Sequence, residues 1–101
     1  MKEANSHRFR VCVEKLNAAA TPARLTFEVR NHDDILAVMD RVRAGTAFPP
    51  DEASALALGL KLLAGVTLAH RHDPLFADIH PALRAFIGNL KSRVASTTTG
   101  P

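Results

Sequence analysis

The residues best suited to chemistry lie in one short segment, HRHDPLFADIH, from His70 to His80. It holds histidines and aspartates, residue types that bind zinc and other divalent metals, although zinc sites usually use other spacings and include cysteines. On a helix, His70 and His72 would point about 200° apart and could not share an ion. We therefore interpret the segment as basic groups at a helix end, with Asp73 turning the chain. Metal binding through His70, His72 and His80 is the least favoured alternative.

The sequence Asn31-His32-Asp33-Asp34 offers two carboxylates that can serve a metal or catalytic loop. The same residues suit the start of a helix. Asn31 is a good N-cap residue, and Asp34 follows three residues later in a variant of the capping box. Negative charge is also stabilising at a helix N-terminus. We predict a helix start here and no site.

The single cysteine, Cys12, excludes an intrachain disulfide. A catalytic thiol needs a neighbouring base and a lowered pKa. The strand pattern places Cys12 among arginines, which favour a thiolate, but places no histidine beside it. We predict a surface or half-buried cysteine without a catalytic role.

Four arginines share the polar face of two predicted strands. They are Arg8, Arg10, Arg24 and Arg30. Such a face can bind phosphates, but single-strand binding usually adds aromatic stacking platforms, and the chain has no Trp or Tyr. Glu14 and Glu28 also dilute the positive charge. We favour a solvated, partly paired face, and weak nucleic-acid or other anion binding there is the alternative.

Motifs of the common enzyme classes are missing from the sequence. It contains no glycine-rich phosphate loop, no GxSxG and no HExxH. The net charge of +3 is only mildly basic. We predict a protein that is not an enzyme and that holds no cofactor and no metal.

Two segments show the alternation of half-buried strands, His7 to Lys15 and Arg24 to Arg30. An antiparallel hairpin with a flexible loop, LNAAATPA, is the simplest pairing. The inward pairs of the favoured register are Phe9–Val29, Val11–Phe27 and Val13–Leu25. Its outward pairs are Glu14–Arg24, Arg10–Glu28 and Arg8–Arg30. The first two outward pairs are favourable and the third sets like charges together.

Three helices are predicted after the hairpin. The first runs from Asp33 to Ala44 and stops at Gly45, and the second runs from Asp51 to Arg71. Leu75, Phe76 and Ile79 are expected to pack inward over a single helical turn. The third helix opens at Pro81. Its expected apolar face is Leu83, Phe86, Ile87, Leu90 and Val94.

The second helix is apolar nearly all round, which is typical of a buried helix. A membrane span is disfavoured, because Lys61 lies in mid-span and the apolar run falls short of about 20 residues. Gly59 and Gly65 each weaken a helix, and their expected benefit is close approach of another backbone.

The fold class that follows is α+β, an antiparallel β-hairpin followed by three helices packed on one face, with the central helix buried. One domain is expected over residues 7–94, between disordered ends at 1–6 and 95–101. The N-terminal MKEANSHRFR contains no apolar stretch of a secretory signal, so we expect a cytoplasmic protein without a membrane anchor.

Several stretches together resemble a known family. They are NHDD at Asn31–Asp34, DEASALALGLKLL at Asp51–Leu63, DPLF at Asp73–Phe76, and Pro81 to Lys91. In this combination the chain, from Arg8 to Lys91, is similar to domain-of-unknown-function family 3861, a group of small bacterial proteins. The resemblance implies a bacterial cytoplasmic protein and supplies no catalytic residues.

The function we expect is a small, non-enzymatic protein-interaction module that forms a homodimer, with an additional protein partner left open. A chain of this length buries a small core, so surplus apolar surface on the central helix favours an interface. The expected interface residues are Leu58, Gly59, Leu62 and Gly65. Pairing of hairpin edges is the other route to a dimer.

Overall fold

The structure, a computed structural model, describes residues 6–17 and 23–98. The chain groups into two compact units, one ending at Asp34 and the other beginning at Ile35. Within the described ranges, the first unit holds two strands and the second holds three α-helices and one short 3-10 turn. This order confirms the predicted α+β class. A single domain over residues 7–94 stays a prediction.

The hairpin pairs β1, His7–Lys15, with β2, Ala23–Asn31, in antiparallel order. Its register is the predicted one along the whole ladder, including Val11 opposite Phe27 and Arg10 opposite Glu28. The register is determined because a shift of one residue would move every apolar side chain to the other face. Residues 18–22 of the predicted flexible loop lie outside the described residues.

The first helix, α1, spans Ile35–Gly45 and begins two residues later than predicted. Asn31 is the last residue of β2, and its Oδ1 accepts a hydrogen bond from the Asp33 N–H at 2.9 Å. The prediction that Asn31 caps the helix is therefore wrong. Asn side chains favour both helix caps and local turns, and here the turn that leaves the strand takes precedence.

The second helix, α2, spans Pro50–Ala69, so the predicted end at Arg71 is wrong. Pro50, Asp51 and Glu52 occupy its first turn, as expected. Its C-cap is His70, whose N–H donates to the Val66 carbonyl at 3.1 Å. The helix ends early because Asp73 precedes a proline and is extended, and the chain must unwind before it. The basic residues 70–72 therefore lie beyond the last helical turn.

A 3-10 turn, Pro74–Phe76, follows, and Asp73 Oδ1 accepts a hydrogen bond from the Leu75 N–H at 2.9 Å. This bond is the turn-forming role predicted for Asp73. Leu75 is 77% exposed, so its predicted inward packing is wrong. A turn of three residues can direct only part of its side chains inward, and here Phe76 is the half-buried one.

The third helix, α3, spans Ile79–Thr98 and starts two residues before Pro81. Proline is tolerated in a first helical turn, where the backbone N–H has no intrahelical partner. The helix also continues to Thr98, into the segment 95–101 for which disorder was predicted. On its apolar face Leu83, Ile87, Leu90 and Val94 are half-buried, whereas Phe86 is 41% exposed.

The centre of packing in the helical unit is α1, which lies against both α2 and α3. Val42 of α1 packs with Ala53 and Ala57 of α2, and both alanines are fully buried. The half-buried residues around this cluster are Val38, Met39, Leu56 and Leu90. The most apolar helix of the chain is thus buried along the side that faces α1.

Candidate functional site

One candidate surface is the side of α2 that lies away from its buried residues. The buried residues are Ala53, Ala57, Leu60 and Thr67. On the other side Ala55, Gly59, Leu63 and Val66 are exposed, and Leu62 at their edge is half-buried. At 3.6 residues per turn these five residues share one side of the helix. We name them the open face of α2.

The predicted interface overlaps the open face only in part. Gly59 is exposed, whereas Leu58, Leu62 and Gly65 are half-buried. Ala55, Leu63 and Val66 were missed, because a helix that is apolar all round has no periodicity to indicate its buried side. Apart from the adjoining backbone of α2 itself and the two neighbours of Gly59 in the chain, no described atom lies within 4 Å of a Cβ placed on Gly59. The close approach expected at Gly59 is therefore not made by any residue that the structure describes.

Opposite charges mark the two ends of the open face. Asp51 and Glu52 are exposed in the first turn of α2, and His70 and Arg71 are exposed just past its last turn. Between them the open face carries no ionisable group, since Lys61 projects from another side of the helix. The result is an apolar strip with an acidic end and a basic end.

By length and composition, α2 is able to span a membrane. It has 20 residues, and its most apolar window has a mean hydropathy of 1.5. The helix includes Asp51, Glu52 and Lys61, so its uninterrupted apolar run is shorter than the helix itself, and the expectation of no membrane span stays a prediction. Core helices of soluble proteins meet the same criteria, so this finding is weak evidence for a membrane.

The arginine face of the hairpin is tied together by ion pairs. Glu28 accepts from two arginines, Arg8 Nη2 at 2.9 Å and Arg10 Nη2 at 3.0 Å. Arg24 lies 4.0 Å from Glu14. Arg8 and Arg30 are opposite each other, as predicted, and the diagonal bond to Glu28 compensates this unfavourable pair. Of the four arginines, Arg30 makes no ion pair with a described residue.

Two features of that face concern chemistry. The hydrogen bonds from Arg10 and Arg8 lower the pKa of the Glu28 carboxyl, so it stays ionised to a lower pH than an isolated glutamate does. A shallow depression of about 300 Å³ is lined by Arg8, Phe9, Arg10 and Glu28.

Cys12 is free and exposed, and it lies opposite Thr26 in the hairpin. This is the surface position that the strand pattern predicted.

The histidine-rich segment does not converge on a point. Among the described residues, no group of three His, Cys, Asp or Glu side chains is placed to hold a metal ion. The predicted opposition of His70 and His72 across a helix does not apply, because both lie past the end of α2. The Nε2 atom of His80 is buried and has no hydrogen-bond partner in the described structure.

Comparison with known proteins gives a family and a fold without a function. The family model described as a domain of unknown function with a solved structure, DUF3861, matches residues 7–92. A crystal structure of a protein of unknown function from Pectobacterium atrosepticum is 31% identical, with a TM-score of 0.78. The match covers 86% of this chain and 98% of that one. No curated protein matches the sequence.

Proposed function

The chain belongs to domain-of-unknown-function family 3861, and from this premise we propose that it is a small, non-enzymatic interaction module that works as a homodimer. The open face of α2 is the observation that carries the proposal. Leu63 is 40% exposed and Val66 is 51% exposed, side by side on one helix. Contiguous exposed apolar surface of this kind marks interaction sites more often than isolated exposed residues do.

The energetics favour an occupied open face. Full burial of one Leu or Val side chain contributes about 1.5–3 kcal/mol relative to full exposure. The helical unit, in contrast, fully buries few large side chains, Ile35 and Val42 among them. A partner that covers the open face therefore buries the exposed 40% of Leu63 and 51% of Val66, which together amount to about one fully buried side chain in each subunit.

The non-enzymatic part of the proposal is supported by the roles of the polar groups. The Glu28 carboxylate is bound by two arginines, and Asp73 and Asn31 each hold a turn together. Each of these side chains serves the structure of its own segment. The proposal assigns them no catalytic role.

The experiment that tests the homodimer is light scattering of the purified protein over a dilution series in the micromolar range. We expect twice the 10.9 kDa mass of one chain at the upper concentrations, with dissociation on dilution. Val66→Asp should shift the protein to a monomer without loss of helical circular dichroism. A mass of one chain at every concentration would refute the homodimer.

Nucleic-acid binding through the arginine face has weaker support, because three of its four arginines pair with glutamates. Single-stranded DNA tests it directly. Phosphate binding by free arginines would give a binding constant whose logarithm falls linearly with the logarithm of salt concentration. We expect no binding at physiological salt, and a measurable salt-dependent affinity that Arg30→Gln weakens would overturn this expectation.

A further inference from the structure

We infer that the open face of α2 receives the open face of a second copy of this chain, in antiparallel orientation, about a two-fold axis level with Leu60 and Lys61. The inference rests on the proposed homodimer and adds which surface forms it and in what orientation. Two-fold dimers are the commonest closed assemblies, and each subunit contributes the same patch to the interface. The patch must therefore be complementary to itself.

Charge decides the orientation. In an antiparallel pair, the acidic end of one α2, with Asp51 and Glu52, meets the basic end of the other, with His70 and Arg71. The same contact repeats at the other end of the axis. A parallel pair would place like charges together at both ends, and it would also align the two helix dipoles unfavourably.

The sizes of the side chains suit this register. In an antiparallel pair, residues that are equally far from the two-fold axis along the two helices lie at the same level. Ala55 is then level with Val66 of the second copy, and Gly59 is level with Leu62 of the second copy. Small residues thus face large ones, which allows interdigitation at helix spacing. The space above Gly59 is open to receive such a side chain. Asp51 lies level with His70 of the second copy, beside Arg71, so the register that matches the apolar residues also brings the acidic end next to the basic end.

Disulfide trapping tests the orientation. All variants carry Cys12→Ser, so that the introduced cysteines are the ones that react. Ala55→Cys and Val66→Cys are prepared separately, reduced, and oxidised either alone or as a mixture. In the inferred dimer each cysteine is offset from its own symmetry mate by about 16 Å along the helix, at a rise of about 1.5 Å per residue, which no disulfide can bridge.

We expect a covalent dimer from the mixture and little from either variant alone. Self-linking of each variant alone would indicate a parallel pair and overturn the inference. The inference would also be overturned if light scattering showed a dimer but the mixture gave no covalent dimer. The proposed homodimer would then stand, and the hairpin edges would become the candidate interface. A monomer by light scattering would end both proposals.

A matched pair of substitutions separates the open face from general apolar surface. Val66→Asp lies in the open face and should abolish dimerisation, whereas Leu68→Asp, on another side of α2 and 64% exposed, should leave it unchanged. Both variants are also mixed with phosphatidylcholine vesicles and sedimented beside the unmodified chain. Co-sedimentation of the unmodified chain that Val66→Asp abolishes would assign the face to a membrane and overturn the inference.

Discussion

Gly45 of α1 lies in close contact with Val94 of α3. A Cβ placed on Gly45 would lie 2.9 Å from Val94 Cγ1 and 3.0 Å from Val94 Cα. Gly45 is the buried last residue of α1, and its backbone does not adopt a positive φ. The sequence predicts a helix stop at Gly45, and the stop is there, but the requirement for glycine comes from packing against α3.

Gly45→Ala should therefore destabilise the protein. The added methyl group meets backbone as well as side chain, so α1 and α3 must move apart, and such overpacking costs about 1–3 kcal/mol. Gly88→Ala is the matched control, since nothing lies within 4 Å of its Cβ and it is exposed in α3. That change should stabilise by about 0.5–1 kcal/mol. Urea unfolding measures both, and equal effects of the two substitutions would contradict the close approach.

Leu60→Asp should unfold the protein. Leu60 is 9% exposed on the buried side of α2. A buried charge without a partner costs several kcal/mol, a large part of the stability of a small domain. Leu68→Asp on the same helix should change the free energy of unfolding by less than about 0.5 kcal/mol. Thermal unfolding followed by circular dichroism compares the two variants with the unmodified protein. A Leu60→Asp variant that unfolds cooperatively at the melting temperature of the unmodified protein would show that this side of α2 is not buried.

Asn31→Ala should cost about 0.5–1.5 kcal/mol, the net contribution of one hydrogen bond. The bond lost joins Asn31 Oδ1 to the Asp33 N–H. Asn31→Asp keeps an acceptor at the same place and should remain close to the unmodified stability. Chemical denaturation measures the three proteins. Unchanged stability of Asn31→Ala together with loss of a bound ion would show that the NHDD stretch is a site.

The Glu28 carboxyl should titrate below its ordinary pKa, because Arg10 and Arg8 hydrogen-bond its ionised form. The pKa of this carboxyl is lower in the folded protein than in the unfolded chain. The ion pairs therefore stabilise the folded protein at pH values above the pKa that the carboxyl has in the unfolded chain. That contribution is lost as the pH falls through the lowered value. A ¹³C NMR titration of the Glu28 side chain measures the midpoint. Arg10→Gln should raise it, and Arg30→Gln should move it less, because Arg30 does not bind Glu28.

Two kinds of local information made the hairpin predictable. Alternation of apolar and polar residues assigned the faces of both strands, and the favourable pair of Arg10 with Glu28 selected the register that the structure contains. A strand has a period of two, so these signals are unambiguous when they agree. The unfavourable Arg8–Arg30 pair left the predicted register a working hypothesis. In the structure Glu28 pairs with Arg10, which lies opposite it, and also with Arg8, which lies diagonally across the two strands. This second pair offsets the repulsion between Arg8 and Arg30, and it depends on how far the side chains extend, which the strand pattern does not give.

Helix boundaries were less predictable, because the same residues signal more than one local structure. Asn31 suits a cap and a turn, and His70 to His72 suit a last helical turn and the loop after it. The structure assigns Asn31 to a turn and residues 70–72 to the loop. Each choice depends on the path that the chain takes from one element to the next. The few residues around the boundary do not determine that path by themselves.

The sequence by itself determined the α+β order, the strand faces and the existence of three helices, because hydrophobic periodicity and turn residues act over short distances. The tertiary structure alone decided which side of α2 is buried and that α1 lies between α2 and α3 in packing. A helix that is apolar all round can be buried on any side, so the choice depends on what packs against it. Here that is Val42 of α1 against Ala53 and Ala57, and the opposite side, with Gly59 and Val66, is the one left open.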